Sequence, residues 1–517
     1  MTSYSESYTS YILSRLYLIL LDSFFVRMLT RFGRFIKRVW NASLTRALLV
    51  RDGAAQRSLN GSIAIKAANF IVSIPSRICT LIYNSNPELW GSSAAVKVLR
   101  GFGNHTEVLL GLLLFGILSV PQESWNNFYS LFAVVGIFAV FALRSLKSAV
   151  SPPDIKEVGV WSVFFAGITL VFTVVSTSIG ASLRFLVFHL TGMLAVLLIV
   201  SSVKTKQQLK NLIVIMMVGL AVCSAFAFIQ RMQGIEVNPS FTDLTRNKLM
   251  PGRVYSFFEN PNTFAMVIVM FLPFGVAGFF YGKGWHYRLF CAIIFAVAAG
   301  ALLMTYSRGA WMGAVGSIGL FVLIMRPMLA PLGLMALILI FPFLPPAISD
   351  RIMTLFSGKD TSISSRAGIY SAAMRVVSER PFTGAGLGSD TVGEYVRLSG
   401  FFISNAKFTH GHNLFLQIAA ETGIFGLLAF CGAMAQTLKR GFIAVSGAFG
   451  RDKELKSLIA AGISGLAGVI VCGLGDYPWF YPRVMLMFWM LAAIIIAGTR
   501  TAIENNDKFI INDKLED

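Results

Sequence analysis

Only five histidines occur in the 517 residues, and two of them stand in His410-Gly411-His412-Asn413, directly before a long apolar run. An imidazole titrates near neutral pH, so one at a membrane interface suits a general base or a hydrogen-bond donor to phosphate. As a structural cap it would carry no chemistry. The i, i+2 pair is a weak metal signature, because no Glu or third ligand stands nearby in the sequence, and no metal is expected. Arginines are the second kind of candidate. Arg253 precedes Phe258-Glu259-Asn260-Pro261-Asn262, Arg308 lies in the short link Tyr306-Ser307-Arg308-Gly309-Ala310, and Arg366 lies where a helix begins. The guanidinium fork bonds two oxygens at once and suits a diphosphate. The plainer alternatives are pairing with Glu236 or Asp243, contact with lipid phosphates, or a snorkelling anchor. Arg366 is expected in a first turn, where the helix dipole disfavours a cation and points to another partner. Two acids stand in apolar surroundings. Glu421 falls roughly 13 Å along its helix from His412 and on the opposite face, which argues for an interhelical anchor rather than a His–Glu dyad. Asp476, in Gly475-Asp476-Tyr477-Pro478-Trp479, pairs with Arg483 or reaches the same cavity as the histidines.

The elements that must position these residues follow from composition. The chain is 55% hydrophobic and 13% charged, against about 25% charged in soluble domains, with mean hydropathy +0.69. A net charge of +19 suits either nucleic acid or a membrane, and the hydropathy decides for the membrane. Five single cysteines show no disulfide, zinc or redox spacing. Apolar runs near 106–121, 125–143, 158–177, 184–202, 211–229, 258–281, 286–304, 308–325, 328–346, 412–437, 457–474 and 481–498 predict an all-α polytopic membrane protein with about twelve transmembrane helices. Lys and Arg in alternate loops, such as Lys204, Lys206, Lys210, Lys453 and Lys456, place both termini and the 499–517 tail in the cytoplasm. Two long loops, 230–257 and 347–411, then face outward, the first carrying Arg231, Arg246, Lys248 and Arg253 against the charge rule. Within the second, Ser364 to Arg380 reads as an amphipathic helix with Ile369, Ala372, Ala373, Val376 and Val377 on one face. Pro381 ends it, and Gly384-Ala385-Gly386-Leu387-Gly388 reads as a flexible turn without a Rossmann or P-loop context. Residues 1–105 form a basic cytoplasmic or interfacial region with no uninterrupted apolar run. Within it, Arg27, Arg31, Arg34 and Arg38 beside Met28, Phe32, Phe35 and Val39 suit a helix lying on anionic lipids, or a basic tail that only enforces topology. Nucleic acid is not an expected partner.

These motifs, in this order, resemble the bacterial O-antigen ligases and the related polysaccharide polymerases. The resemblance runs over about 230–440. It rests on Phe258-Glu259-Asn260-Pro261-Asn262, Ser307-Arg308-Gly309-Ala310, Arg366, Arg380-Pro381-Phe382-Thr383-Gly384-Ala385-Gly386-Leu387-Gly388, and His412-Asn413-Leu414-Phe415-Leu416-Gln417 with Glu421-Thr422-Gly423. It implies a C-type membrane glycosyltransferase fold with a long helical outer loop before the tenth helix. The implied donor is a glycan on polyprenyl diphosphate, normally undecaprenyl, and the acceptor is a glycan, lipid or protein hydroxyl. His412 takes the position of the family's essential histidine, with Arg308 and Arg253 near its essential arginines. Arg366, His410, Asn413, Asn260, Asn262 and Asp476 are the substrate-binding candidates, and Glu421, Gly384 and Gly386 the structural ones. An inverting displacement without metal or other cofactor follows, because arginines neutralise the departing diphosphate. The location implied is the outer face of a bacterial plasma membrane. A repeat-unit polymerase is the alternative within the superfamily; a transporter or flippase of lipid-linked oligosaccharide is the alternative of another class.

Overall fold

The computed structural model describes residues 61–147, 152–238, 251–353, 361–401, 408–446 and 452–516, with single positions before residue 61. The 27–39 stretch, apart from Arg27, Met28, Arg31 and Arg38, lies outside the described residues, as do Asp243, Arg246 and Lys248. The described residues form helices, turns and loops, with no strand among them. The first helices are α1 (Ile63–Ser85), α2 (Pro87–Ser92), α3 (Ala94–Asn104), α4 (Thr106–Ser119), α5 (Asn127–Leu143), α6 (Val160–Val174) and α7 (Ile179–Ser202). Next come α8 (Lys206–Gln233), α9 (Pro261–Tyr281), α10 (Trp285–Met304), α11 (Arg308–Met325), α12 (Ala330–Ile340) and α13 (Pro346–Met353). The last are α14 (Thr361–Glu379), α15 (Ser389–Leu398), α16 (Leu414–Val445), α17 (Lys453–Cys472) and α18 (Pro482–Glu516).

All twelve expected segments are helical, and eight of them are long and apolar enough to cross a membrane. Three are shorter: α5, α6, and the 328–346 stretch, where α12 lies between two 3-10 turns. The ninth full-length candidate is α1, which the sequence reading omitted because Lys66 and Arg77 interrupt its apolar run. A tenth forms if α3 and α4, bent by 57° at His105, are one span. The architecture is therefore all-α and polytopic, with nine to ten candidate spans among the described residues rather than twelve.

Helix α9 lies at the centre, packed against α10, α11 and α17, while α18 lies along α7 and α17. Glycine lets α11 and α17 approach closely: a Cβ at Gly468 would lie 3.0 Å from the Gly313 carbonyl and 2.8 Å from Val269. Local caps set the starts of the helices. Asn260 accepts from the Asn262 N–H with Pro261 at the first helical position, and Asn413 accepts from Phe415 and Leu416.

Helix α16 is broken at Gly423, which has φ +63 and ψ −167. In an unbroken helix the Ile424 N–H would bond the Ala420 carbonyl. Here it bonds Pro381 O instead, at 2.8 Å, and the freed Ala420 and Glu421 carbonyls accept the N–H groups of Ala385 and Gly386 at 2.8 and 3.0 Å. The Gly384–Gly388 segment is thus a buried strut completing a kinked helix, where a flexible turn was expected. Gly384 and Gly386 hold φ of +64 and +123, and a side chain on either would strike Glu421 backbone or the Ser176 hydroxyl.

Candidate active site

Antiparallel helices bring one set of ends together: the end of α8, the start of α9, the α10–α11 link, the start of α16, and the loop from α17 to α18. The catalytic and substrate-binding candidates from the sequence lie there or on α14, which packs against α16, while Gly384 and Gly386 lie in the strut at the α16 kink. Four non-glycine residues adopt positive φ among the described residues, Ser256, Glu259, Tyr306 and His412, and all four lie in these loops. Such conformations cost about 1–3 kcal/mol each and persist where the surroundings fix them.

The histidine loop is fixed from three sides. The Tyr370 hydroxyl of α14 donates to the His412 carbonyl at 3.2 Å, the Gly411 N–H donates to Gln417 Oε1 at 2.7 Å, and the Asn413 amide donates to Leu474 O at 2.9 Å. Facing it, Asp476 brings one carboxylate oxygen to 3.3 Å from His412 Nδ1 and 3.5 Å from His410 Nε2. The two imidazole centroids are 4.1 Å apart, and Phe480 and Tyr477 line the far side of His410. Burial alone would raise the Asp476 carboxyl, but the hydrogen bonds and charges of His410 and His412 outweigh it and hold it well below the usual carboxylate range. Burial pushes His410 down, and the charge of Arg366 adds to this, against its bond to Asp476. The dyad partner of His412 is therefore Asp476, sixty-four residues further on, and Arg483 is not its mate. Arg483 is buried and donates to the carbonyls of Val120 and Phe257, with its guanidinium 4.2 Å from the Phe258 ring, so it clamps the Arg253 loop from below.

A buried polar ladder joins the two halves of this arrangement. Gln417 donates to Glu421 Oε1 at 2.8 Å, the Tyr477 hydroxyl donates to the same oxygen at 3.0 Å, and the Tyr477 N–H donates to Asp476 Oδ1 at 2.8 Å. Glu421 is thus an anchor held by neutral polar groups and makes no contact of its own with His412 among the described bonds.

The arginines collect beside the histidines. Arg253 is 8% exposed, with Nε donating to Thr305 O at 2.7 Å and Nη2 to Asn262 Oδ1 at 2.5 Å. Burial pushes its guanidinium down to about 9, the charges of Arg351, Arg308 and Arg366 add to this, and Asp476 opposes it. Arg308 is equally buried at the start of α11, and the next residue, Gly309, bonds Cys472 at the end of α17. Arg366 lies six residues into α14, in its second turn rather than the expected first, so the dipole argument does not apply to it. Its Nη1 lies 3.8 Å from where a Cβ on Gly475 would stand, directly beside Asp476. Asn260 and Asn413 are engaged as caps, and Asn262 orients Arg253, so these amides support the loops that carry the charges. The sequence reading missed Arg351, Tyr370, Gln417 and Tyr477; Tyr477 and its neighbour Phe480 stood in a visible aromatic cluster after Asp476. It also missed α15, which has ordinary surface composition.

His410, His412 and Asp476 offer three ligand atoms within 4.8 Å of one another. The third ligand absent from the local sequence is therefore present in space.

The fold and site define a multi-pass, all-helical membrane protein with a His–Asp pair inside an arginine-rich end. The family model for O-antigen ligase matches residues 293–431, from α10 through the kink of α16, and assigns this segment to the O-antigen ligase and polymerase superfamily. That family is enzymatic, of glycosyltransferase type, and implies a lipid-linked glycan donor and an acceptor in surface polysaccharide synthesis. The match includes Arg308, Arg366, His410, His412, Asn413 and Glu421, while Arg253, Asn260, Asn262 and Asp476 lie outside it. No curated protein matches the chain.

Proposed function

We propose that this protein transfers a glycan from undecaprenyl diphosphate to an acceptor hydroxyl on the outer face of a bacterial plasma membrane, in the manner of an O-antigen ligase. The observation that carries this reading is the contact of His412 Nδ1 with Asp476 beside Arg253, Arg308 and Arg366. An ionised Asp476 accepts the Nδ1–H and leaves Nε2 as the basic nitrogen, which takes the proton of the attacking hydroxyl. The hydroxyl oxygen displaces the diphosphate at the anomeric carbon with inversion, and Arg253, Arg308 and Arg366 bind the charge that grows on the leaving oxygen. The lysine-rich opposite end supports the orientation through the charge rule, with the lysines and both termini cytoplasmic. The domain reading that accompanies this is a basic N-terminal region at 1–105, within which the candidate span α1 and the first half of the bent α3–α4 pair fall, a transferase body at 106–498 and a cytoplasmic tail. The basic region would also contact anionic lipids.

Deleting the gene in its host and resolving surface polysaccharide from lipid-linked intermediates tests the assignment. Long chains stranded on the lipid carrier are expected. Single lipid-linked repeats accumulating would make it a polymerase, and intermediates trapped on the inner face would make it a flippase.

A further inference from the structure

We propose that His410, His412 and Asp476 form a binding site for a borderline divalent ion such as Zn2+, and that filling it takes His412 out of the reaction. Tetrahedral zinc with ligands at about 2.0–2.1 Å sets neighbouring ligand atoms about 3.3 Å apart. The Asp476 oxygen already stands 3.3 Å from His412 Nδ1 and 3.5 Å from His410 Nε2, and all three ligand atoms lie within 4.8 Å. Two imidazoles and a carboxylate are a ligand set that zinc accepts, with the fourth position left for water. The ligands are held by their backbones: His412 lies in the left-handed region with its carbonyl fixed by Tyr370, and Asp476 is tied to the start of the Pro478–Phe480 turn by the Tyr477 N–H. All three side chains retain partial exposure, 12% to 25%, so an ion can enter without unfolding the site.

Two features set the expected strength. The His410 Nδ1 is buried without a hydrogen-bond partner among the described residues, so it lacks the outer partner that raises the affinity of a zinc-bound imidazole by about 10–100-fold. Arg253, Arg308 and Arg366 also repel a dication. The site is therefore a reversible one that responds to an excess of metal, rather than a permanent structural centre. Binding through His412 Nδ1 displaces its proton and breaks the hydrogen bond that orients the ring toward the acceptor. The blocking half of this inference rests on the catalytic reading above; the binding half does not.

The test uses the full-length protein in nanodiscs, without a histidine tag, titrated with Co2+ and then Zn2+. One equivalent of cobalt is expected to give visible ligand-field bands that Zn2+ abolishes, with affinity falling by more than about tenfold in His410→Ala and in Asp476→Ala. His410→Cys keeps a ligand at the same point and should add a sulfur-to-cobalt charge-transfer band, which a misfolded variant would not. Absence of bands, or bands unchanged in all three variants, would overturn the site. Zn2+ is further expected to suppress transfer reversibly, with EDTA restoring it. Binding lost in the variants while wild-type transfer ignores Zn2+ would overturn the blocking step and count against His412 in the reaction.

Discussion

The two ends of this helix bundle handle charge in opposite ways. Where α8 and α17 begin, cations meet carboxylates directly: Lys206 reaches Asp452 at 2.7 Å and Glu454 at 3.3 Å, Lys210 reaches Glu454 at 2.7 Å, and Arg500 reaches Glu157 at 2.6 Å. Where α8 and α17 finish, Arg253 donates to a carbonyl and an amide, the charges of Arg351, Arg308 and Arg366 lie near it, and Asp476 is shared by two histidines. The first end pairs cations with carboxylates side by side, and the second gathers arginines around a His–Asp pair, the arrangement that the proposed function uses to receive an anionic donor. If that contrast is functional, substitutions at the arginine-rich end should remove activity and spare the fold, and substitutions at the paired end should do neither to any great extent.

The largest effect is expected from His412→Ala, which removes the proposed general base. Transfer measured with a lipid-linked glycan in proteoliposomes should fall by about 10²–10⁴-fold, while membrane insertion and thermal unfolding stay as in the wild type. Full activity in that variant would end the catalytic assignment and leave the His–Asp pair as a loop fastener. Next come Arg253→Lys and Arg308→Lys. A lysine keeps the charge at Arg253 but cannot bond Thr305 O and Asn262 Oδ1 together, so its point charge is placed loosely. A fall of about 10²-fold in kcat with little change in KM is expected for each, as for the loss of a donor to a developing anion. A change in KM alone would mean that the arginines hold the substrate in its ground state and not the departing diphosphate.

These predictions depend on residues that the sequence exposed to different degrees. His412, Arg308 and Arg253 could be singled out only through the resemblance to the ligase family, since a histidine or arginine at the end of an apolar run has an ordinary interfacial reading as well. The overall architecture was legible directly, since eight apolar runs are full-length helices. The pairing of His412 with Asp476 was not, because sixty-four residues and two helices separate them and only the antiparallel packing of α16 and α17 returns the chain to the same end. The glycine strut was misread for a related reason. Glycines in sequence signal conformational freedom, yet here their positive φ serves tight packing against carbonyls that a distant kink has released. Helix α1 was missed because two cations in twenty-three residues mask an apolar face.

A smaller effect, on stability rather than chemistry, sharpens the boundary between the two kinds of region. Glu421→Ala strips the acceptor from Gln417 and from the Tyr477 hydroxyl, leaving buried donors without partners. A loss of about 1–3 kcal/mol, read as a lower unfolding midpoint, is expected, with transfer reduced only as far as the histidine loop loosens. Glu421→Gln retains a carbonyl oxygen for both donors and should recover most of the midpoint. If Glu421→Gln instead abolishes transfer at full stability, Glu421 belongs to the chemistry and the anchor reading is wrong.

The smallest effect should come from the paired end. Asp452 is exposed and Lys206 partly so, and pairs near the surface contribute about 0–1 kcal/mol once side-chain ordering and salt screening are counted. Lys206→Ala and Asp452→Ala should each leave transfer unchanged and shift unfolding slightly. In the double-mutant cycle their coupling should be under about 1 kcal/mol and should shrink as salt is added. Asp452 carries a second load, since its other oxygen accepts the N–H groups of Glu454 and Leu455 at the start of α17. Asp452→Ala should therefore cost more than Lys206→Ala by roughly the value of a helix cap, about 1 kcal/mol, and Asp452→Asn should restore that difference without restoring the ion pair. If removing Lys206 were to abolish transfer, the two ends would be coupled through the bundle, and the division of roles between them would fail.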